Sequence, residues 1–155
     1  MKKLLLLLLF GIMSNLLMGE NEKSVDVQVT ARVIKPIEVV NKKDVEFGTI
    51  VVGQENVKAK SNGSITFSGE EKIRVSWKAE DGHGFNKIND PIVVTIANGE
   101  NEIKTLISTE EVSNGVLNLN GTQETIVFSG KIDKVPEVAP GSYSGNFTVR
   151  AEYID

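Results

Sequence analysis

Alternation of apolar and polar residues is the feature of this sequence that most restricts its fold. From Val25 to Val33 every second residue is apolar, and the residues between them are polar. A repeat of two places alternate side chains on one face of a β-strand, whereas an amphipathic helix needs apolar residues three and four positions apart. No stretch of helix length after residue 20 has that helical spacing. The sequence therefore predicts an all-β chain.

The same alternation marks further strands. Ile73, Val75 and Trp77 alternate with polar residues, and so do the residues from Tyr143 to Tyr153. Trp77 continues the apolar face of its strand, so we expect it in the core and not on a sugar-binding surface. Shorter segments predict further strands at residues 37–40, 45–47, 64–67, 92–97, 103–107, 116–119 and 125–132.

Turn residues separate these segments. Four Asn-Gly pairs occur, at residues 62–63, 98–99, 114–115 and 120–121. Asn-Gly favours a type I′ turn, because both residues tolerate a positive φ. The pair at 98–99 lies between two predicted strands and is the clearest hairpin. Many short strands separated by such turns indicate an immunoglobulin-like antiparallel β-sandwich.

The first residues have the pattern of a secretory signal peptide. Lys2 and Lys3 precede a mostly apolar run over residues 4–18, and the small residue Gly19 follows. The alternative, an uncleaved anchor, fits less well because a spanning helix needs about 20 apolar residues. We therefore expect a signal peptide at residues 1–19 and one exported mature domain at 20–155, with no membrane span.

Composition excludes several kinds of function. The chain has no Cys and one His, which excludes a Cys nucleophile, a disulfide framework and the usual zinc sites. Its net charge is −4, and loss of Lys2 and Lys3 with the signal peptide would make it −6. Such a charge argues against nucleic acid as a partner. An exported domain without disulfides must be held together by packing or by assembly.

One loop, Glu80–Asp90, could carry chemistry. Its acidic and amide side chains allow a calcium site, but their spacing does not match the twelve-residue calcium loop. His83 lacks a second His or a Cys with which to share a metal, and no nucleophile is placed near it in sequence. We therefore interpret this segment as a solvated loop and predict no enzyme activity, catalytic residue, metal or cofactor.

The two ends of the mature chain show the clearest alternation. The first segment could be the domain's own first strand, or it could pair with the exposed sheet edge of another molecule. Burying its four Val and one Ala on a partner would contribute roughly 6–12 kcal/mol before ordering costs. Sequence alone leaves both alternatives open for the segment's apolar residues, Val25, Val27, Val29, Ala31 and Val33.

Three segments resemble a known family. Residues 21–36 resemble the mature N-terminus of alpha-clade (class 5) chaperone–usher fimbrial major subunits, and residues 139–153 resemble the closing strand of such pilins. Asp44–Gly53 is similar to the Phe-Gly element of a small pilin-related bacterial domain family. The absence of Cys agrees with the alpha clade.

The resemblance implies a pilin-like sandwich that passes through the periplasm to the cell surface, polymerises by donor-strand exchange and contributes to cell adhesion. The partners it implies are identical or homologous subunits, a periplasmic chaperone and an outer-membrane usher. It assigns the donor strand to residues 25–33. It also assigns the groove beside the C-terminal strand to Gly141, Tyr143, Phe147, Val149, Ala151 and Tyr153. The alternative is a monomeric secreted sandwich that binds carbohydrate or protein, but aromatic residues are only 6% of the chain.

Overall fold

A computed structural model describes residues 23–110 and 112–154. The predicted signal peptide, residues 1–19, lies outside the described residues. The chain divides into two units at Val33–Ile34, and the larger unit begins at Ile34. In the part of the chain that the structure describes, no helix has the length and apolar character needed to cross a membrane.

The larger unit is an antiparallel β-sandwich, which confirms the predicted all-β fold. Its described residues form ten strands and one short 3-10 turn at Ser113–Gly115. The strands are β1 (Glu38–Lys43), β2 (Glu55–Lys58), β3 (Gly63–Ser68), β4 (Lys72–Ala79), β5 (Asn86–Lys87), β6 (Ile92–Asn98), β7 (Asn101–Thr109), β8 (Val116–Asn118), β9 (Gln123–Lys134) and β10 (Phe147–Tyr153).

Two sheets make up the sandwich. The six-stranded sheet has the order β1-β3-β9-β7-β6, and β2 pairs with β9 beyond the end of β3. The four-stranded sheet has the order β10-β4-β5, and β8 pairs with the other half of the β4 edge that carries β5. Strand β10 pairs with β4 over its whole length, from Phe147 opposite Ala79 to Tyr153 opposite Ile73.

The main core lies between the sheets. Trp77 is fully buried at its centre, as the alternation in β4 predicts, and its ring centroid lies 5.8 Å from that of Phe128 and 5.9 Å from that of Phe147. The Trp77 Nε1–H donates to the Asp90 carbonyl oxygen at 3.0 Å, so the buried indole has a polar partner. A second cluster surrounds Ile103 and Ile132.

In the larger unit most of the predicted strands are present, with three differences. Two short strands, β2 and β5, were not predicted, because four and two residues are too few to show a period. Residues 45–47 make only an isolated bridge, Glu46 to Ser61. The last strand begins at Phe147, so Tyr143 and the residues up to Asn146 precede it.

The hairpin at 98–99 is confirmed, but its predicted turn type is wrong. Asn98 pairs with Asn101, so the two loop residues are Gly99 and Glu100. Gly99 has a φ of 61°, whereas Glu100 does not have a positive φ. A type I′ turn needs a positive φ at both positions, whereas type II′ needs it only at the first, usually a Gly. The β6–β7 turn therefore belongs with type II′.

Candidate functional site

An open groove enters the sandwich between its two sheets. Its volume is about 1100 Å³. The inner face of the six-stranded sheet lines it with Val94, Ile96, Ile103, Ile107 and Phe128. Residues 42–52 line one part of its wall, and residues 138–147 and Val149 line another. The cavity is large enough for an extended peptide segment and is lined mainly by apolar side chains.

The groove is where the core of the sandwich is incompletely covered. Its lining contains apolar side chains that pack against the two buried clusters but are themselves only half-buried, and these are Val45, Phe47, Ile50, Ile65, Ile96, Val138, Tyr143, Phe147 and Val149. Apolar surface left in water is a source of binding free energy, at roughly 25 cal/mol per Å² buried. The groove therefore favours an apolar occupant.

The floor of the groove carries no unsatisfied polar side chain. Thr105 is buried there, and its Oγ1 donates to the Val94 carbonyl oxygen at 2.8 Å. A buried hydroxyl with a backbone partner does not demand a polar group from a ligand. The chemistry of the floor thus selects for shape and apolar surface.

Strand β10 presents a free edge beside this groove. It is the terminal strand of the four-stranded sheet and pairs, among the described strands, with β4 alone. In an antiparallel strand, alternate N–H and C=O groups point to opposite sides, so one set of β10 backbone groups faces away from β4. Phe147 and Val149 turn their side chains toward the groove from the same strand. An added strand could therefore bond to the backbone and fill the groove together.

The chain changes sheet just before β10. Ser144 bridges Ala97 in β6, with the Ala97 N–H donating to the Ser144 carbonyl oxygen at 2.8 Å. At Gly145 a Cβ would lie 2.2 Å from the Thr95 carbonyl oxygen, so this close approach requires Gly. The alternation from Tyr143 to Tyr153 therefore covers two sheets, and Gly145 lies at the crossing.

The residues predicted for the C-terminal groove divide into two groups. Gly141, Tyr143, Phe147 and Val149 line the groove, although the first two lie in the loop before β10. The Tyr143 hydroxyl donates to the Ala139 carbonyl oxygen at 2.6 Å and holds that loop in a turn. Ala151 and Tyr153 belong to β10 and pack against the main core, but they are not part of the groove lining.

Residues 25–33, the predicted donor strand, belong to no strand of the structure, and neither do residues 23 and 24. The side chains of Val25, Val27, Val29 and Val33 are 82%, 83%, 91% and 93% exposed, and Ala31 is exposed as well. Of the two alternatives that the sequence left open, the structure does not show the segment as the domain's own first strand. A strand forms only where a neighbour pairs with its backbone groups, and alternation cannot say which chain supplies that neighbour.

The Glu80–Asp90 loop is folded by ordinary contacts. Its residues Asn86 and Lys87 form β5 against β4, and the next residue, Ile88, is fully buried in the core. Within the described part of the chain, no three His, Asp or Glu side chains are placed to hold a metal ion.

Sequence reasoning did not assign residues 44–52 to the groove. Val45, Phe47 and Ile50 line it from a segment that forms no regular strand. The Phe-Gly element at Phe47-Gly48 was the available signal: Gly48 has a φ of 71°, which a residue with a side chain rarely adopts. The comparisons add no relative, because no protein-family model and no curated protein matches the chain.

Proposed function

We propose that the chain is a structural subunit of a bacterial fimbria or related surface fibre that contributes to cell adhesion. In this proposal, residues 23–33 of one subunit lie in the groove of the next and pair with the free edge of β10. The observation that carries the proposal is the open apolar groove beside an unpaired strand edge. Export, a chaperone and an usher belong to the proposal through the family resemblance.

The lengths of the two partners are compatible. The alternating segment Val25–Val33 has nine residues, and β10 has seven. At about 3.4 Å per residue the segment can cover the whole edge. Its apolar residues repeat every second position, so they would all turn toward the groove once the backbone pairs with β10.

The contact between the donated segment and the groove is head-to-tail, and this determines the kind of assembly that it can form. The donated segment and the accepting groove are different surfaces, so one subunit can donate to a second while accepting from a third. A head-to-tail contact that does not close on itself gives an open filament. A chain without Cys would then be held between subunits by strand pairing and apolar burial.

The proposal can be tested by mixing two variants of the mature chain, residues 20–155. A donor-defective variant, Val27→Asp with Val29→Asp, keeps the groove, and an acceptor-defective variant, Val149→Asp, keeps the segment. We expect neither variant to polymerise alone, and their mixture to stop at a dimer that survives unboiled detergent gels and separates on boiling. The unaltered chain should give a ladder of oligomers in the same assay.

Matched controls use the opposite face of each strand. Gln28→Asp with Thr30→Asp adds the same charge to the polar positions of the segment, and Thr148→Asp adds it to the outer side of β10. Both controls should still polymerise. Ile50→Asp supplies a second acceptor variant if Val149→Asp unfolds the domain. An unaltered chain that stays monomeric at all concentrations, with a chaperone supplied, would contradict the proposal and favour the monomeric binding module.

A further inference from the structure

The outer face of the four-stranded sheet is cationic. Ile73, Val75, Trp77 and Ala79 of β4 point into the core, so the alternate residues of β4 and their cross-strand partners point outward. This outer face consists of Lys72, Arg74, Ser76, Lys78, Lys87, Val116, Asn118, Thr148, Arg150 and Glu152. Among these residues five are cations and one is an acid, although the whole chain has a net charge of −4.

The cations are arranged in two crossing rows. Arg150 and Lys87 are the partners of Ser76 on its two sides, so the three side chains form a row across β10, β4 and β5. Neighbouring strands lie about 4.8 Å apart, which places the two cations about 10 Å from each other. Along β4, Arg74 and Lys78 lie on either side of Ser76. Four cations therefore surround one small hydroxyl side chain.

Phe85 holds two of these cations in place. The Arg150 guanidinium carbon lies 4.2 Å from the centre of the Phe85 ring, and the Lys78 Nζ lies 5.3 Å from it. Stacking uses the flat face of the guanidinium, whereas its N–H donors lie in the plane and can still bind a planar anion. Glu152 Oε2 lies 3.9 Å from Arg150 Nε, and Glu152 is the cross-strand partner of Arg74, so this face has one acid for five cations.

Acidic residues lie at both ends of β4, at the limits of this cationic face. Glu70 and Glu71 precede the strand, and Glu80 and Asp81 follow it. A polyanion running along β4 would meet these carboxylates, whereas one running across the strands would cross the Arg150–Ser76–Lys87 row without meeting them. The charge pattern thus selects the direction of a ligand as well as its sign.

We propose that the outer face of the four-stranded sheet binds a sulfated or carboxylated polysaccharide that crosses the strands at Ser76. Charge complementarity requires an anion. Among the described residues, Phe85 is the aromatic ring in contact with these cations, and two of them already stack on it, so they compete with nucleic-acid bases and neutral sugars for its surface. An anionic polysaccharide needs only the cations and hydroxyl donors that are present. This inference does not depend on fibre assembly.

Heparin binding by residues 20–155 tests this proposal. The double variant Arg150→Gln with Lys87→Gln should lower affinity for heparin at least about tenfold, since each lost charge-assisted hydrogen bond carries an effect of that order. The matched control, Lys104→Gln with Lys58→Gln, removes two exposed cations from the other sheet and should change affinity less than about twofold. Each variant is compared with the unaltered chain in the same assembly state and at the same salt concentration.

A second variant keeps every existing contact. Ser76→Glu places an acid at the centre of the row and should abolish heparin binding while the circular dichroism spectrum stays unchanged. The proposal would be overturned if the double variant and its control lost heparin affinity equally. It would also be overturned if the chain bound oligo-dT as tightly as heparin at the same salt concentration. Undiminished binding by both Ser76→Glu and the double variant would overturn it as well.

Discussion

The Tyr153 hydroxyl donates a hydrogen bond to the carbonyl oxygen of Lys35 at 2.9 Å, across a sequence separation of 118 residues. The Tyr153 hydroxyl oxygen in turn accepts a hydrogen bond from the Glu70 N–H at 3.3 Å. One side chain at the end of β10 thus joins the start of the sandwich to the β3–β4 turn. It fixes the backbone two residues beyond Val33, where the exposed apolar segment ends.

Tyr153→Phe should destabilise the domain by about 1–2 kcal/mol, because it removes the hydroxyl's hydrogen bonds to Lys35 and from Glu70 and leaves the ring in place. The free energy of unfolding in urea measures this effect. Tyr143→Phe is the matched control: the hydrogen bond of its hydroxyl is a local one, to Ala139 four residues away, and its loss should cost less than about 0.5 kcal/mol. Equal effects of the two substitutions would contradict the joining role of Tyr153.

Gly145→Ala should lower the stability of the domain more than Tyr153→Phe does. The added Cβ would lie 2.2 Å from the Thr95 carbonyl oxygen, and the obstacle is backbone, which cannot move aside as a flexible side chain can. We expect a loss of about 1–3 kcal/mol, seen as a lower midpoint of thermal unfolding. Gly84→Ala provides the control, since nothing lies within 4 Å of its Cβ position. An unchanged midpoint for Gly145→Ala would mean that the sheet crossing adjusts.

Asn89 fixes the segment around Val112 by two hydrogen bonds. Its Nδ2 donates to the Val112 carbonyl oxygen at 2.7 Å, and its Oδ1 accepts from the Val112 N–H at 3.0 Å. Asn89→Ala should cost about 1–3 kcal/mol, and Asn89→Asp should cost less because it keeps the acceptor. Trp77 is the single Trp and is buried, so its fluorescence reports the unfolding transition. Asn118→Ala, at an exposed position, should have little effect.

The strands could be predicted from the sequence wherever one face is buried. In β4 the buried Ile73, Val75 and Trp77 alternate with outward polar residues. In β6 and β7 buried and outward residues also alternate, although Val93 and Leu106 are exposed apolar residues. The start of β10 could not be predicted, because Ser144 and Val149 are both extended but pair in different sheets. Alternation of apolar and polar residues indicates that a segment is extended and has one buried face. It does not indicate which strand is its neighbour.

The groove could be predicted only in part. Its edge residues Phe147 and Val149 lie in a strong alternation, whereas Val45 and Ile50 lie in an irregular segment with no periodic signal. The groove itself arises because β10 ends its sheet, which is a property of long-range pairing. The cationic face could also be predicted only in part. Arg74 and Lys78 belong to the same strand, but only the pairing of β10 with β4 brings Arg150 beside them.

Hydrogen exchange can locate the accepting edge directly. In a chain carrying Val27→Asp with Val29→Asp, the alternate β10 amides that face away from β4 should exchange quickly, because no described strand bonds to them. Adding a peptide of residues 22–34 should slow their exchange at least about tenfold, since ordered strand pairing protects amides. The edge strand β1 serves as the internal control, and its amides should be unaffected. Protection that appears at β1 instead of β10, or with a peptide carrying Val27→Asp, would place the donated strand elsewhere.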